Sequence, residues 1–165
     1  IFKDMMIHDF DMAVFLMGDM PETVMATGSV LVDPKIGVLG DFDSASAVLR
    51  WADGRQLSIS NSRRAAYGYD QRVEMHGSTG MVAAENEHPI RIEVATKEGY
   101  TRPPLHDFFM TRYIAAYANE IDAFVAALGG ETGGIPTGID GLNALLIAEA
   151  ALESANNGKA VTIVR

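Results

Sequence analysis

The stretch that decides the fold is residues 46–60, SAVLRWADGRQLSIS, in which two strand-like runs flank a tight turn. The runs are Ser46–Trp51 and Gln56–Ser60, and Ala52-Asp53-Gly54 lies between them. An Asp-Gly step between such runs favours a β-hairpin, because glycine adopts the backbone angles that tight turns require. The sequence therefore predicts antiparallel sheet in this part of the chain.

The segments on both sides of this hairpin predict further strands, with helices flanking the run. Strands are expected at Thr23–Val32, Gln71–His76, Met81–Glu85, Ile90–Ala95 and Ala160–Val164. Helices are expected at Lys3–Met17, Asp107–Leu128 and Asp140–Asn156, where apolar residues recur at steps of three and four. This order predicts an α+β fold, with a mostly antiparallel open sheet and helices packed on one face.

The composition is that of a folded globular protein with an acidic surface. The 165 residues are 48% hydrophobic, with a mean hydropathy of +0.08, a formal net charge of −9 and a pI near 4.8. Such a charge repels phosphate backbones and anionic lipids, so we expect neither nucleic acid nor a membrane among the partners. The chain has no cysteine, which excludes disulfides and thiolate metal ligands and fits a cytoplasmic location.

The length and the start of the chain predict a single domain taken from a longer protein. Residues 1–165 fit one domain, and no apolar run approaches the roughly 20 residues of a membrane span. The chain starts Ile1-Phe2-Lys3, without an initiator methionine or a signal-peptide pattern, so we expect a fragment. The strands also carry more apolar side chains than one core needs, which indicates a subunit interface. These side chains are Trp51, Ile59, Met75 and Met81.

The first predicted helix carries the strongest candidate for chemistry. At about 100° per residue, Asp4, His8 and Asp11 fall in one narrow sector. An apolar stripe that includes Met6 and Phe10 points almost directly away from that sector. Carboxylates one turn from a histidine can orient its ring and suit it to act as a general base. The residues alone leave two alternatives open, an ordinary solvated helix face and a metal site.

A second candidate is the stretch Asn61–Arg72, NSRRAAYGYDQR, which leaves one predicted strand and enters the next. Tyr, Asn and Arg side chains of this kind hydrogen-bond hydroxyl-rich ligands, although an edge loop with solvated arginines explains the pattern equally well. Tyr113 could reach a pocket from the long helix, but the helical pattern favours a core tyrosine on an amphipathic helix. No phosphate-binding G-x-G-x-x-G or P-loop motif is present, so no residue of this chain is assigned to a nucleotide.

Three stretches resemble the inositol 2-dehydrogenase branch of the Gfo/Idh/MocA oxidoreductases. They are DMMIHDFDM at residues 4–12, NSRRAAYGYDQR at 61–72 running on into VEMHGSTG, and GIDGLNALLIAEAALES at 138–154. The resemblance implies that residues 1–165 are a single C-terminal domain, used for substrate binding and oligomerisation, with an open sheet. The N-terminal Rossmann domain, which would bind most of the NAD cofactor, is absent from this chain.

The resemblance also implies roles for individual residues. His8 would be the catalytic base that takes the proton of the reacting hydroxyl, and Asp4 would be its catalytic partner, which positions the substrate. Asp11 resembles a further substrate-contacting carboxylate. Tyr67, Tyr69 and Tyr113 are expected as weaker substrate contacts. No residue is assigned to a metal.

The implied function is that of an NAD-dependent inositol or polyol dehydrogenase in the catabolism of myo-inositol. The expected substrate is a polyol or sugar, and the expected assembly is a homo-oligomer, with a tetramer through the sheet face as one option. Without the cofactor domain, we expect the fragment to be inactive. Two alternatives remain, a dehydrogenase of the same family that acts on another sugar, and a non-catalytic sugar-binding or scaffold relative.

Overall fold

The computed structural model describes residues 1–131 and 134–164, which form two compact units. Unit 1 comprises Ile1–Arg64 with Pro136–Arg165, and unit 2 comprises Ala65–Ile135. In chain order the elements are α1 (Met6–Met17), β1 (Thr23–Ser29), α2 (Pro34–Val38), β2 (Ser44–Arg50), β3 (Gln56–Ser62), β4 (Val73–Gly77), β5 (Gly80–Ala84), β6 (Val94–Thr96), β7 (Gly99–Thr101), α3 (Phe109–Arg112), α4 (Ile114–Leu128), α5 (Gly138–Asn157) and β8 (Val161–Thr162).

Unit 1 is built on a four-stranded antiparallel sheet of order β3-β2-β1-β8. Along β2, Ala45, Ala47 and Leu49 are buried while the residues between them face outward. The buried side chains of β2 join those of α1 and α5 in one core, so both helices cover the same face of the sheet. The predicted α+β fold with a mostly antiparallel open sheet is therefore confirmed.

The predicted hairpin around Asp53-Gly54 is present, and its apolar residues belong to the core. Trp51 is almost fully buried, and its indole Nε1 donates to the backbone carbonyl of Asp19 at 3.1 Å. Ile59 packs against the core cluster from β3. These two side chains therefore cannot supply surplus surface for an interface, as their hydrophobicity suggested, because α1 and α5 cover the face of the sheet from which they project. Of the other two, Met75 is half-buried and Met81 is exposed.

A buried carboxylate organises the loop that follows β1. Asp43 accepts hydrogen bonds from the backbone amides of Leu31 and Val32 at 2.8 Å, from that of Asp33 at 2.9 Å, and from the Ser44 hydroxyl at 3.0 Å. Burial opposes ionisation, but these donors outweigh it and lower the pKa of Asp43 to about 2. The loop leads into the short helix α2, which the sequence pattern does not predict and which Asp33 caps through the Lys35 amide.

Unit 2 contains two hairpins, β4-β5 and β6-β7, and the helices α3 and α4. The first hairpin follows the prediction, whereas the second differs. The strand expected at Ile90–Ala95 starts only at Val94, and its partner β7 was not predicted. The helix predicted over Asp107–Leu128 is interrupted at Tyr113, whose backbone leaves helical geometry. No helix in the described ranges is long and apolar enough to cross a membrane.

The helix α5 is tied to the sheet by a buried hydroxyl. Ser154 Oγ accepts a hydrogen bond from the backbone amide of Ala26 in β1 at 2.9 Å. The same hydroxyl donates to the carbonyl of Lys159 at 2.6 Å, beyond the end of the helix. Ser154 has no exposed surface and Ala26 is 4% exposed, so water cannot readily replace the hydroxyl at the Ala26 amide.

We expect Ser154→Ala to lower the free energy of unfolding by about 1–3 kcal/mol, because it leaves the buried amide of Ala26 unpaired and removes the bond to the Lys159 carbonyl. Urea denaturation measures the difference. Ser58→Ala is the matched control, since Ser58 is exposed on β3, and its effect should stay within about 0.5 kcal/mol. Equal effects of the two substitutions would contradict this role of the hydroxyl.

Candidate active site

Helix α1 separates an apolar face from a polar one, as its sequence predicts. Met6 and Phe10 have no exposed surface, and Ala13 is almost as deeply buried. His8 is exposed and Asp11 is half-buried. Because side chains four residues apart share a face, burial of Met6 and Phe10 sets the rotation of the helix and turns His8 away from the core.

Asp4 lies in a turn before the helix rather than in the helix itself, which begins three residues later than predicted. Its carboxylate is bound by a side chain from a distant part of the sequence. Asp4 Oδ2 accepts a hydrogen bond from Arg63 Nη1 at 2.8 Å, and Arg63 Nη2 lies 3.3 Å from Asp41 Oδ2. The guanidinium therefore fixes the orientation of the carboxylate that the resemblance pairs with His8. Arg63 was not among the predicted site residues.

A second carboxylate on α1, Asp9, was also missed by the sequence analysis. Asp9 Oδ2 accepts a hydrogen bond from Asn61 Nδ2 at 3.0 Å, which ties α1 to the end of β3. Burial raises the pKa of Asp9, and the Asn61 bond and the neighbouring His8 oppose this only in part. Asn61 Oδ1 is buried without a hydrogen-bond partner in the described part of the chain. The two residues lie 52 positions apart, so no local pattern predicts the pair.

The tyrosines predicted as substrate contacts belong to unit 2. The Tyr67 hydroxyl donates to Asp70, a bond that raises the pKa of Tyr67. Asp70 also accepts from Arg72 and Asn86, and these donors, Arg72 above all, lower its pKa to about 2. The Tyr67 hydroxyl therefore donates its proton to Asp70, and its oxygen lone pairs can accept a hydrogen bond from another group.

Tyr69 and Tyr113 are brought together, with ring centroids 5.9 Å apart in an edge-to-face arrangement. The Arg112 guanidinium lies 5.5 Å from the centroid of the Tyr113 ring. Aromatic pairs prefer such edge-to-face contacts. The pairing links the NSRRAAYGYDQR stretch to the start of α4 and orients both phenol rings.

A surface depression of about 440 Å³ lies beside Tyr67. It is lined by Tyr67, Asp70, Arg72, Asn86, His88, Arg102, Pro103, Pro104 and Leu105. Gly68 lets the loop pass close to the backbone of His106. A Cβ at this position would lie 2.8 Å from the His106 carbonyl oxygen, and the φ of Gly68 is +118°, which side chains disfavour. In unit 1, a depression of about 320 Å³ lined by Asp19, Met20, Pro21 and Ile163 contains none of the predicted residues.

The six predicted residues fall into two sets. Asp4, His8 and Asp11 lie in unit 1, whereas Tyr67, Tyr69 and Tyr113 lie in unit 2. That all of them contact one substrate stays a prediction. Within residues 1–131 and 134–164, no group of three or more His, Asp and Glu side chains could hold a metal ion.

The family to which the chain belongs follows from comparison with known proteins. The family described as "Oxidoreductase family, C-terminal alpha/beta domain", the C-terminal domain of the Gfo/Idh/MocA oxidoreductases, matches residues 1–163. The chain therefore belongs to this family, as the sequence resemblance predicted.

Within this family, the chain is similar to proteins named as inositol dehydrogenases. The inositol 2-dehydrogenase of Rhizobium meliloti (strain 1021) is 59% identical over 163 residues, which are 99% of this chain and 49% of that protein. A crystal structure of a myo-inositol dehydrogenase from Corynebacterium glutamicum ATCC 13032 matches with a TM-score of 0.93 at 40% identity, covering 100% of this chain and 50% of that one. The chain thus spans about half the length of the relatives it matches.

A further structure was solved with ligands. It is a scyllo-inositol dehydrogenase from Lactobacillus casei with bound NAD(H) and scyllo-inositol, and it matches with a TM-score of 0.88 at 29% identity. The match covers 98% of this chain and 48% of that one.

We expect the raised pKa of Asp9 to lower stability as pH rises. Because the folded protein binds this proton more tightly than the unfolded chain, stability falls between about pH 3.8, the ordinary value, and the raised pKa of Asp9. Asp9→Asn removes this fall, so the stability of the variant relative to the original chain should improve across that window. Urea denaturation from pH 3.5 to 7 provides the comparison.

Asn61→Ala is the second variant in this experiment. It removes a hydrogen bond that lowers the pKa of Asp9, so the pH range over which stability falls should extend upward. Parallel stability curves for the original chain and Asp9→Asn at every pH would show that Asp9 does not titrate abnormally.

Proposed function

We propose that this chain is the substrate-binding and oligomerisation half of an NAD-dependent inositol 2-dehydrogenase. The observation that carries the proposal is His8, exposed on α1 opposite a fully buried apolar face. Membership of the oxidoreductase family and 59% identity to an inositol 2-dehydrogenase support it. The complete protein would oxidise a ring hydroxyl of a polyol, myo-inositol first among them, to the ketone.

NAD would be bound mainly outside residues 1–165. This chain has no glycine-rich phosphate-binding motif between a strand and a helix, and the relatives it matches are about twice its length. When bound, the nicotinamide ring accepts the hydride that leaves the carbinol carbon. The residues of this chain are left with the other half of the reaction, which is to hold the substrate and take the hydroxyl proton.

His8 would act as the general base. As the C–H electron pair leaves as hydride, the O–H bond breaks, its electrons form the C=O bond, and the proton moves to the imidazole. Asp4 would orient the substrate beside that ring, and the 2.8 Å bond from Arg63 holds its carboxylate in place. Asp11, one turn along the helix from His8, would accept a hydrogen bond from a second hydroxyl.

The unit 2 tyrosines would contribute further hydroxyl contacts. With its proton bound to Asp70, the Tyr67 oxygen is left to accept from a polyol hydroxyl. The rings of Tyr69 and Tyr113 pack edge to face, and a site built to hydrogen-bond hydroxyls rejects analogues that leave its polar groups unpaired. The protein would then discriminate between polyols by whether their hydroxyls can hydrogen-bond to these tyrosine oxygens.

The outer face of the unit 1 sheet would build part of a homo-oligomer. There Met25 and Val48 are paired across β1 and β2 and are exposed by 43% and 46%. Their neighbours on this face, Thr27, Ser46, Ser58 and Ser60, are small. A sheet face with small residues beside an apolar centre suits sheet-to-sheet packing. The absence of cysteine fits an enzyme of the cytoplasm.

We expect His8→Ala in the complete protein to lower kcat with myo-inositol by about 10²–10⁴-fold, the usual contribution of a general base. The measurement is NADH formation at 340 nm over a range of pH. His76→Ala is the matched control, because His76 is exposed on β4 and its ring contacts Glu74, and it should leave kcat unchanged.

Three outcomes separate the alternatives. Equal rates for His8→Ala and the original protein would remove His8 from the mechanism. Oxidation of another sugar in preference to every inositol would favour the related sugar dehydrogenase. Binding of a polyol without NAD reduction would favour the non-catalytic relative.

We expect Arg63→Met to lower kcat about 10–100-fold, because a misplaced reacting geometry costs rate on that scale. Its effect on stability should stay within about 1 kcal/mol, since the Asp4–Arg63 pair is on the surface. Arg64→Met is the control, because Arg64 forms no ion pair in the described part of the chain. Equal kinetics for the two variants would show that Arg63 does not position Asp4.

A further inference from the structure

Asp70 lies at the centre of a hydrogen-bond network beside Tyr67 in unit 2. Its side chain is only 14% exposed. Arg72 donates to Oδ1 of Asp70 through Nε at 2.8 Å and to Oδ2 through Nη2 at 3.0 Å. Asn86 Nδ2 donates to Oδ1 at 2.6 Å, and the Tyr67 hydroxyl donates to Oδ2. Each carboxylate oxygen therefore accepts two hydrogen bonds, and all four come from side chains.

Asn86 fixes this carboxylate from the segment that follows β5. While its Nδ2 donates to Asp70, its Oδ1 accepts a hydrogen bond from the backbone amide of Gln71 at 2.8 Å. Reversing the Asn86 amide would place a donor against the Gln71 amide and an acceptor against the carboxylate, so only one orientation satisfies both neighbours. The side chain that holds Asp70 therefore has its own direction set by the backbone.

The Tyr67 hydroxyl remains accessible to a ligand. Tyr67 is 55% exposed and lines the depression of unit 2. Two backbone hydrogen bonds fasten the loop on which it lies, from the Leu105 amide to the Tyr67 carbonyl at 3.2 Å and from the Tyr69 amide to the His106 carbonyl at 2.7 Å. The phenol oxygen therefore has a defined position and space beside it for a partner.

The Tyr67 hydroxyl has one proton, and Asp70 accepts it. The phenol oxygen can then only accept a hydrogen bond from a ligand, because its lone pairs are all that remain. A polyol hydroxyl can rotate and donate to that oxygen. An ether, a carbonyl or a fluorine has lone pairs but no proton, so it would face the lone pairs of Tyr67 without a hydrogen bond. A site that leaves polar groups unpaired in this way binds such analogues less well.

We propose that Asp70 and Asn86 are positioning residues, which make the Tyr67 hydroxyl an obligate hydrogen-bond acceptor and so select substrates that present a hydroxyl at one position of their ring. The proposal rests on the proposed function, because it takes a polyol as the ligand of Tyr67. It adds the rule by which Tyr67 discriminates, which is that the substrate must donate a proton there. Both positioning residues act through Tyr67 and take no part in hydride or proton transfer.

Asp70→Asn is the substitution that reverses the direction of the Tyr67 hydrogen bond. A carboxamide has one oxygen and one NH2 group, so it cannot accept on both sides. With NH2 in place of Oδ1, it would oppose two donors, Arg72 Nε and Asn86 Nδ2. With NH2 in place of Oδ2, it opposes only Arg72 Nη2, because the Tyr67 hydroxyl can rotate and accept from it. This second orientation directs the Tyr67 proton towards the ligand.

The test compares myo-inositol with analogues in which fluorine replaces one hydroxyl, using the complete protein and NADH formation. Fluorine cannot donate a hydrogen bond. At the ring position that meets Tyr67, we expect the original protein to disfavour the analogue by about 5–50-fold in kcat/KM, mainly through KM, because one hydrogen bond is left unmade. In Asp70→Asn this factor should fall to about threefold or less at that position alone. Asp122→Asn, the same change at an exposed residue of α4, should leave every factor unchanged.

Two further variants complete the series. Tyr67→Phe should remove the discrimination at the same ring position, because no oxygen is left to face the fluorine. Asn86→Ala removes one of the donors that hold Asp70, so we expect a factor between those of the original protein and Asp70→Asn.

The ionisation of Tyr67 gives a readout that does not depend on activity. The bond to Asp70 raises the pKa of Tyr67, so its phenol should stay protonated near pH 10, where an ordinary tyrosine ionises. Ultraviolet difference spectra between each protein and its Tyr67→Phe counterpart isolate this phenol. In Asp70→Asn the titration should move to lower pH, whereas in Asp122→Asn it should not.

The two readouts distinguish failure of this proposal from failure of the proposed function. The proposal is overturned if Asp70→Asn and the original protein show equal factors at every ring position, even when inositol is oxidised. It is also overturned if the titration of Tyr67 is the same in both proteins, because Asp70 would then not hold the proton. If the original protein oxidises no inositol, the proposed function fails and the selection rule fails with it, whereas a shifted titration would still show that Asp70 holds the Tyr67 proton.

Discussion

The burial of Met6 and Phe10 is the constraint on which the candidate site depends. Both side chains have no exposed surface, and α1 can achieve this in only one rotation about its axis, since side chains four apart share a face. That rotation turns His8 outward and leaves Asp9 and Asp11 at the borders of the face. A close-packed core is not deformable enough to let the helix roll, so the direction of the imidazole is set by residues that take no part in chemistry.

The alternation of side chains along β3 positions the residues that hydrogen-bond to α1 and to the turn before it. Leu57, Ile59, Asn61 and Arg63 alternate along the strand and its extension, so they lie on one side. The first two pack against the core, whereas Asn61 and Arg63 hydrogen-bond Asp9 and Asp4. The inner face of the sheet therefore changes from apolar to polar at the end of the strand. Asn61 near the end of β3 and Arg63 just beyond it bind Asp9 and Asp4, the carboxylates on either side of His8 in the sequence. The end of one strand therefore contacts both α1 and the turn that precedes it.

The sequence predicts the features that depend on local pattern and fails for those that depend on distant partners. The Asp53-Gly54 hairpin and the two faces of α1 come from turn chemistry and periodicity. Helix α2 was not predicted, because its loop is held by Asp43, which lies about ten positions further along the chain, directly before β2. Asp9 and Arg63 were missed for the same reason, since their partners lie 52 and 59 positions away. The engagement of the Tyr67 proton by Asp70 is closer in sequence, but a Tyr-x-x-Asp spacing does not fix side-chain direction.

The two units have similar apolar content but differ in how much of it they bury. Unit 1 buries sixteen apolar residues in one cluster, enough to hold α1 in place without help. In unit 2 the large apolar side chains lie mainly on the exposed surfaces of short hairpins and of α4, and among its described residues only Leu105 is buried. Tyr113 at the start of α4 packs on Tyr69, so the position of this helix is linked to that of the loop that carries Tyr67 and Tyr69.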